Sequence, residues 1–113
     1  MENNRMLLIS AAGTRKTKHW PRSEMLWSEF TERLRTPARS TETLEEYLAY
    51  AKQRQDDLKD VGGFVGGTFA NDIRKAAYVE GRDLLTLDLD NIPAGGTEDV
   101  LKRVCGLGCA AAV

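Results

Sequence analysis

The stretch Leu84-Leu85-Thr86-Leu87-Asp88-Leu89-Asp90-Asn91 determines the fold that we predict, because it joins an apolar run to two acids at alternate positions. Side chains alternate between the two faces of a strand, so Asp88 and Asp90 would project together while Leu87 and Leu89 face the other side. A short apolar run of this kind is typical of a buried strand. We therefore predict a central strand that ends at Asp90.

The two neighbouring carboxylates point to a metal ion. Held side by side, Asp88 and Asp90 would repel each other unless a cation neutralises their charge. Carboxylate oxygens are ligands of Mg²⁺ and Mn²⁺, and such ions hold the attacking and leaving oxygens in phosphate chemistry. We predict that both acids bind Mg²⁺ or Mn²⁺. The alternative is a pair of solvated acids at a strand end, where aspartate often forms turns.

Two glycine pairs flank a short apolar step upstream of the acids. Gly62-Gly63 and Gly66-Gly67 could let backbone amides approach a phosphate. However, the sequence around them matches neither the phosphate-loop pattern nor the dinucleotide-binding pattern. The alternative, which the local pattern favours, is a tight turn at each end of a short strand.

Three cations, Arg74, Lys75 and Arg82, lie between the glycine pairs and the acids in the sequence. If the strands around Phe64 and Leu85 are neighbours, one of these cations could face the acids and hold a triphosphate. We predict Arg74 and Arg82 as nucleotide- or phosphate-binding residues. The alternative for each is a solvated surface cation.

A basic stretch near the amino terminus interleaves cations with an aromatic residue. Arg15, Lys16, Lys18 and Trp20 together suit a nucleic-acid backbone with a base stacked on the indole ring. We predict these four residues as nucleic-acid-binding. The alternative is an ordinary exposed loop in which Trp20 packs onto the core.

The rest of the sequence supplies helices and strands around these motifs. The predicted elements are a strand at 6–11, a helix at 24–35 capped by Ser23, a helix at 41–58, a strand at 76–79, a tight connection at 80–82, a helix that starts at Thr97 and ends at Gly106, and a strand at 109–113. This order predicts an α+β fold, with one mixed sheet of about four to five strands and three helices packed on it. We predict one domain over residues 1–113.

The composition is that of an ordinary globular protein. Of 113 residues, 42% are hydrophobic and 29% are charged, and the net charge of −1 gives no general attraction to nucleic acid or to an anionic membrane. No run approaches the roughly 18 apolar residues that a membrane span needs, and the first residues lack the features of a secretory signal. We expect a cytoplasmic protein in which Cys105 and Cys109 are reduced thiols.

Five features occur in an order that resembles the amino-terminal region of primase-like replication proteins. They are Trp27-Ser28-Glu29-Phe30, Glu46-Tyr47, the segment from Lys59 to Gly67, Arg82, and the segment from Leu85 to Asp90. The family is the virulence-associated E type, which phages and integrated elements carry, and its catalytic domain is similar to archaeo-eukaryotic primases. The resemblance covers nearly the whole chain.

The resemblance implies a primase core built on an RNA-recognition-like sheet, which copies a DNA template from nucleoside triphosphates with Mg²⁺ or Mn²⁺. By position, Asp88 and Asp90 correspond to the first two metal-binding, catalytic acids. Family members continue into a Ser-x-His motif and a third acid that this sequence does not contain. We therefore expect weak metal binding and little catalysis from these residues alone, since catalysis needs the whole constellation.

Three hypotheses about function follow. The first is the amino-terminal part of a mobile-element DNA primase-polymerase in a bacterial host, with DNA and nucleoside triphosphates as partners in the full-length family; whether this chain is itself an enzyme is left open. The second is a small interaction protein that inhibits a host nucleic-acid enzyme, for example an anti-CRISPR protein, or pairs with a second copy through an exposed sheet edge. The third is a nucleic-acid-binding module that uses its sheet and the loop from Arg15 to Trp20.

Overall fold

The computed structural model describes residues 4–108, which form short strands and short helices. In chain order they are β1 Met6–Ala12, β2 Arg22–Leu26, α1 Trp27–Arg35, α2 Leu44–Ala49, α3 Lys52–Lys59, β3 Gly63–Val65, β4 Gly67–Phe69, β5 Val79–Arg82 and α4 Thr97–Cys105. The α+β class and the predicted number of strands are confirmed, although the strands pair antiparallel in two sheets. The strand predicted at 109–113 lies outside the described residues.

The contacts within the chain divide it into two compact units. One unit is Asn4–Leu85, which contains both sheets and the first three helices, and the other contains the chain from Thr86 onward. Asp88, Asp90 and α4 belong to the second unit, and each unit is described by itself below. The prediction of a single domain stays a prediction.

The first sheet has the order β2-β1-β3 and carries the core of the larger unit. Leu7 and Ile9 alternate with more exposed residues along β1, and with Met25 of β2 and Phe30 of α1 they form the buried cluster. The ring of Phe64 on β3 meets the ring of Phe30 edge-on, with their centroids 4.9 Å apart. This helix-on-sheet packing buries one face of the sheet and positions the loops at its edges.

The second sheet pairs β4 with β5 and is attached to the first by polar contacts. The buried hydroxyl of Ser10 donates a hydrogen bond of 2.8 Å to the carbonyl oxygen of Gly67. The guanidinium of Arg22 contacts Asp72, Glu80 and the carbonyl oxygen of Phe69. Ser10 and Arg22 belong to the first sheet, whereas their partners lie on β4, on β5 or on the chain between them. These polar contacts therefore hold the two sheets together.

The helix predicted at residues 24–35 begins only at Trp27. Residues 22–26 instead form β2, in which Met25 lies opposite Leu7 of β1. The predicted cap at Ser23 is therefore wrong, because Ser23 is in the middle of a strand. Tertiary pairing with β1 overrides the helical pattern here.

The helix predicted at residues 41–58 is two helices, α2 and α3. Tyr50 and Ala51 between them have extended backbone conformations. The side-chain amide of Gln55 donates hydrogen bonds of 3.1 Å to the carbonyl oxygens of both Tyr47 and Tyr50. These bonds satisfy carbonyls that a continuous helix would have paired internally, and so they stabilise the break.

The strand predicted to end at Asp90 is absent, since residues 84–93 form neither helix nor strand. The strand in this region is β5, at residues where we predicted a tight connection. Leu85 and Leu87 are 76% and 68% exposed, because no strand of the described residues pairs with this stretch to bury them. The helix predicted from Thr97 is confirmed as α4, with Gly106 directly after it.

No helix among the described residues is both long enough and apolar enough to cross a membrane. Cys105 is exposed and is a free thiol. Cys109, also expected to be a reduced thiol, lies outside the described residues.

Candidate nucleic-acid interface

The fold brings two separately predicted sets of residues together. The backbone amide of Arg74 donates to the carbonyl oxygen of Lys18 (2.9 Å), and the amide of Trp20 donates to the carbonyl oxygen of Asp72 (2.7 Å). The loop before β2 and the segment after β4 therefore run side by side. The exposed side chains of Lys18, Arg74 and Lys75, called the basic surface below, lie on these paired segments.

Trp20 lies beneath the basic surface and is only 4% exposed. Its Nε1 donates to the carbonyl oxygen of Thr17 (2.8 Å), and the edge of its ring packs beside Gly63. The Cζ atom of Arg74 lies 4.8 Å from the indole centroid, a cation–π contact. In the structure Trp20 is therefore packed onto the core. This is the arrangement that the exposed-loop alternative expected.

A turn with unusual backbone angles holds Arg74 in this place. Asn71 and Asp72 have φ values of 55° and 56°, in the left-handed region that few residues other than glycine occupy. The carboxylate of Asp72 contacts Nε of Arg22 (3.1 Å), and Asp72 and Glu80 raise the pKa of Arg22 above its ordinary value through their hydrogen bonds. The turn is therefore secured on both sides, by Arg22 and by the amide of Trp20.

Arg15 and Lys16, also predicted to bind nucleic acid, are held by acids of the same unit. The ammonium of Lys16 lies 2.7 Å from the carboxylate of Asp57. The carboxylate of Asp60 accepts hydrogen bonds from the Thr14 hydroxyl (2.6 Å) and from the Arg15 amide (2.9 Å). These bonds, that of the Thr14 hydroxyl foremost, lower the pKa of Asp60. Asp60 thus organises the basic loop, a role that no sequence pattern signalled.

Three of the four paired glycines, Gly62, Gly66 and Gly67, lie where the backbone is too crowded for a side chain. Gly62 has a φ of 81°, and an added Cβ would overlap the carbonyl oxygen of Ala12. A Cβ on Gly66 would lie 2.6 Å from Cβ of Leu84 and 2.8 Å from its carbonyl oxygen. The tight-turn alternative therefore accounts for these glycines without a bound phosphate.

The remaining predicted site residues lie elsewhere. Arg82 ends β5 opposite Gly67 and is exposed. Asp88 and Asp90 are exposed on an irregular segment of the second unit. No group of three or more His, Cys, Asp or Glu residues that could hold a metal occurs within residues 4–108. Two carboxylates still fit Mg²⁺, which proteins often hold through one or two such groups while it keeps several waters.

An apolar groove lies beside α1 in the larger unit. It has a volume of about 460 Å³ and is lined by Ile9, Phe30, Phe64 and the backbone of Gly62 and Gly63. Leu34 and Val61, 49% and 64% exposed, are also among its lining residues, together with Arg33.

The fold and these surfaces define a small α+β protein with a basic surface set on a two-sheet unit. Over residues 1–113 the chain matches the family described as the VapE N-terminal domain, and it belongs to that family. The resemblance noted from its sequence is thereby confirmed, and the chain is associated with VapE-like proteins of phages and mobile elements. A search of the curated proteins and a search of the solved structures each found no match.

Proposed function

We propose that this chain is the amino-terminal part of a mobile-element primase-like replication protein, and that its own contribution is to bind nucleic acid. The observation that carries the proposal is the contact between Arg74 and the loop of Lys18 and Trp20. Cations from two distant parts of the sequence share one surface, and clustered cations neutralise the phosphates of a nucleic-acid backbone.

The state of the cations on the basic surface supports this proposal. Lys18, Arg74 and Lys75 form no ion pair with any residue that the structure describes, whereas Lys16 and Arg22 do. A cation without an internal partner keeps its charge available for a phosphate. Because the net charge of the chain is only −1, this local clustering matters more for binding than the overall charge.

Titration of a fluorescent single-stranded oligonucleotide at two salt concentrations tests the proposal. Lys18→Ala combined with Arg74→Ala is expected to weaken binding and to reduce the slope of log affinity against log salt, by about 0.7 for each phosphate that the variant no longer neutralises. The matched control is Lys52→Ala with Arg54→Ala, which removes two charges from α3 and should leave binding nearly unchanged. Equal losses in both double variants would contradict the proposal.

For the predicted metal site, we propose weak Mg²⁺ or Mn²⁺ binding at Asp88 and Asp90, and no primer synthesis by this chain alone. The support is the donor set, two exposed carboxylates two residues apart on one segment, and the family to which the chain belongs. When bound, the metal would supply charge neutralisation at nucleotide phosphates.

Line broadening of NMR signals by Mn²⁺ tests the metal proposal. Asp88→Asn with Asp90→Asn should remove the broadening near these residues. The matched control, Glu98→Gln with Asp99→Asn, removes two charges from the first turn of α4 in the same unit. Broadening that survives in the first variant would refute the assignment, whatever the control shows.

The groove beside α1 favours a second candidate function, that of an interaction protein which inhibits a host nucleic-acid enzyme, such as an anti-CRISPR protein. Leu34 and Val61 place apolar surface in water at this groove, and such surfaces often mark protein interfaces. In a pull-down against host nucleases, Val61→Glu should abolish capture and Leu44→Glu on α2 should not. Recovery of no nuclease above background would count against this function.

A further inference from the structure

We propose that the ligand of the basic surface is the phosphodiester backbone alone, and that Trp20 acts on it only as a positioning residue for Arg74. The proposal rests on the nucleic-acid binding proposed above and names the part of the ligand that is recognised. It departs from the usual combination of cations with an exposed aromatic ring, in which bases stack on the ring.

The surroundings of Trp20 argue against base stacking. Stacking requires an open ring face, and the side chain is 4% exposed. Both of its N–H groups are already used, Nε1 by the Thr17 carbonyl and the backbone amide by the Asp72 carbonyl. One side of the ring carries the Arg74 guanidinium. A base could reach the indole only after Arg74 had moved away and its cation–π interaction with the ring had been broken.

The same contacts suit Arg74 for phosphate. A guanidinium is a planar fork of five N–H donors that matches two phosphate oxygens at once. When an arginine side chain has no contacts of its own, much of the binding energy is lost in ordering its rotatable bonds. Here the indole beneath the guanidinium restricts the side chain in advance, and the hydrogen bond from the Arg74 amide to the Lys18 carbonyl fixes the backbone that carries it. Lys18 and Lys75 add two exposed cations on the same paired segments, and the Lys75 ammonium lies 5.4 Å from the ring centroid of Tyr78.

An oligonucleotide that lacks its bases separates the two modes on the unaltered protein. We expect an abasic single strand and its natural counterpart of equal length to bind with affinities within twofold. A stacked base would cost the abasic strand at least about fivefold, from the energy of one base–aromatic contact. Such a loss would overturn the inference and leave the nucleic-acid proposal standing. Binding of neither strand would overturn both.

A double-mutant cycle tests the positioning role of Trp20. Trp20→Leu removes the ring beneath the guanidinium and is expected to weaken binding several-fold in the otherwise unaltered chain. In an Arg74→Ala background the same change should have no further effect, because Trp20 acts through Arg74. An equal loss in both backgrounds would show a merely structural role and overturn the assignment.

Two conservative variants complete the test of the pair. Arg74→Lys keeps the charge but loses the planar fork, so affinity should fall several-fold while the salt slope stays the same. Trp20→Phe keeps an aromatic ring and should restore most of the affinity lost in Trp20→Leu. Full affinity in Arg74→Lys would show that charge alone binds the ligand.

Discussion

Gly66 offers the sharpest test of the close packing between the β3–β4 connection and the segment that follows β5. In Gly66→Ala the new Cβ would lie 2.6 Å from Cβ of Leu84, whereas carbon atoms pack favourably at about 3.5–4.0 Å. The backbone of Leu84 must therefore move by about 1 Å. That shift breaks the hydrogen bonds that the amides of Asp83 and Leu84 donate to the Gly66 carbonyl, now 2.8 and 3.0 Å long.

The expected cost follows from these contacts. Two hydrogen bonds contribute about 1–3 kcal/mol together, and overpacking adds about 1–3 kcal/mol. The reduced freedom of the unfolded chain returns about 0.4–1 kcal/mol. We expect a net loss of about 2–4 kcal/mol in the free energy of unfolding, a large part of the roughly 5–15 kcal/mol typical of a domain.

Urea denaturation followed by circular dichroism measures this loss. With a slope of about 2 kcal/mol per molar urea, in the middle of the usual range, the midpoint should fall by about 1–2 M. Gly13→Ala is the matched control, since an added Cβ there meets no atom within 4 Å, and its midpoint should be unchanged or slightly raised. Equal midpoints for the two variants would refute the crowding argument. Equal midpoints would instead favour a ligand-binding role for the glycine pairs.

Three further outcomes are expected from urea denaturation. Ile9→Ala should cost about 2–5 kcal/mol because Ile9 is fully buried, whereas Leu44→Ala, at a residue 71% exposed, should cost little; similar losses would contradict the assigned core. Ser10→Ala should cost about 1–3 kcal/mol because it removes the donor to the Gly67 carbonyl, and a neutral result would show that this bond does not join the sheets. The lowered pKa of Asp60 stabilises the folded state above the ordinary aspartate pKa of about 3.9. That stabilisation is lost as the pH falls from there through the lowered pKa. Asp60→Asn should therefore lose less stability than the unaltered chain between pH 5 and pH 3. Equal losses in the two proteins would contradict this role of Asp60.

Several elements could be predicted because their signals are local. The short apolar run at residues 6–11 predicted a strand at almost the observed bounds of β1, and the acids after Thr97 with Gly106 beyond them predicted α4. Caps, dipole effects and side-chain alternation act within a few residues, so a short stretch of sequence contains the whole signal.

The errors occurred where a distant partner decides the structure. Residues 22–26 form a strand because β1 lies beside them. The leucines after Leu84 form no strand, because no strand of the described residues lies beside them. An apolar run predicts a strand only if another strand is available to pair with it. The sequence around Asp88 and Asp90 contained the alternation but no information about a partner.

The same distinction between local sequence signals and distant contacts applies to the candidate site. The amino-acid sequence by itself determined the cations, the tryptophan and the glycines as chemical groups, and it determined the VapE-type family through their order. Only the tertiary structure decided that Arg74 lies on Trp20, 54 positions apart in the sequence, with the indole beneath the cation and turned away from solvent. The physical reason is that residue type and spacing set local conformation, whereas contacts between distant segments depend on which surfaces the folded chain can bury together.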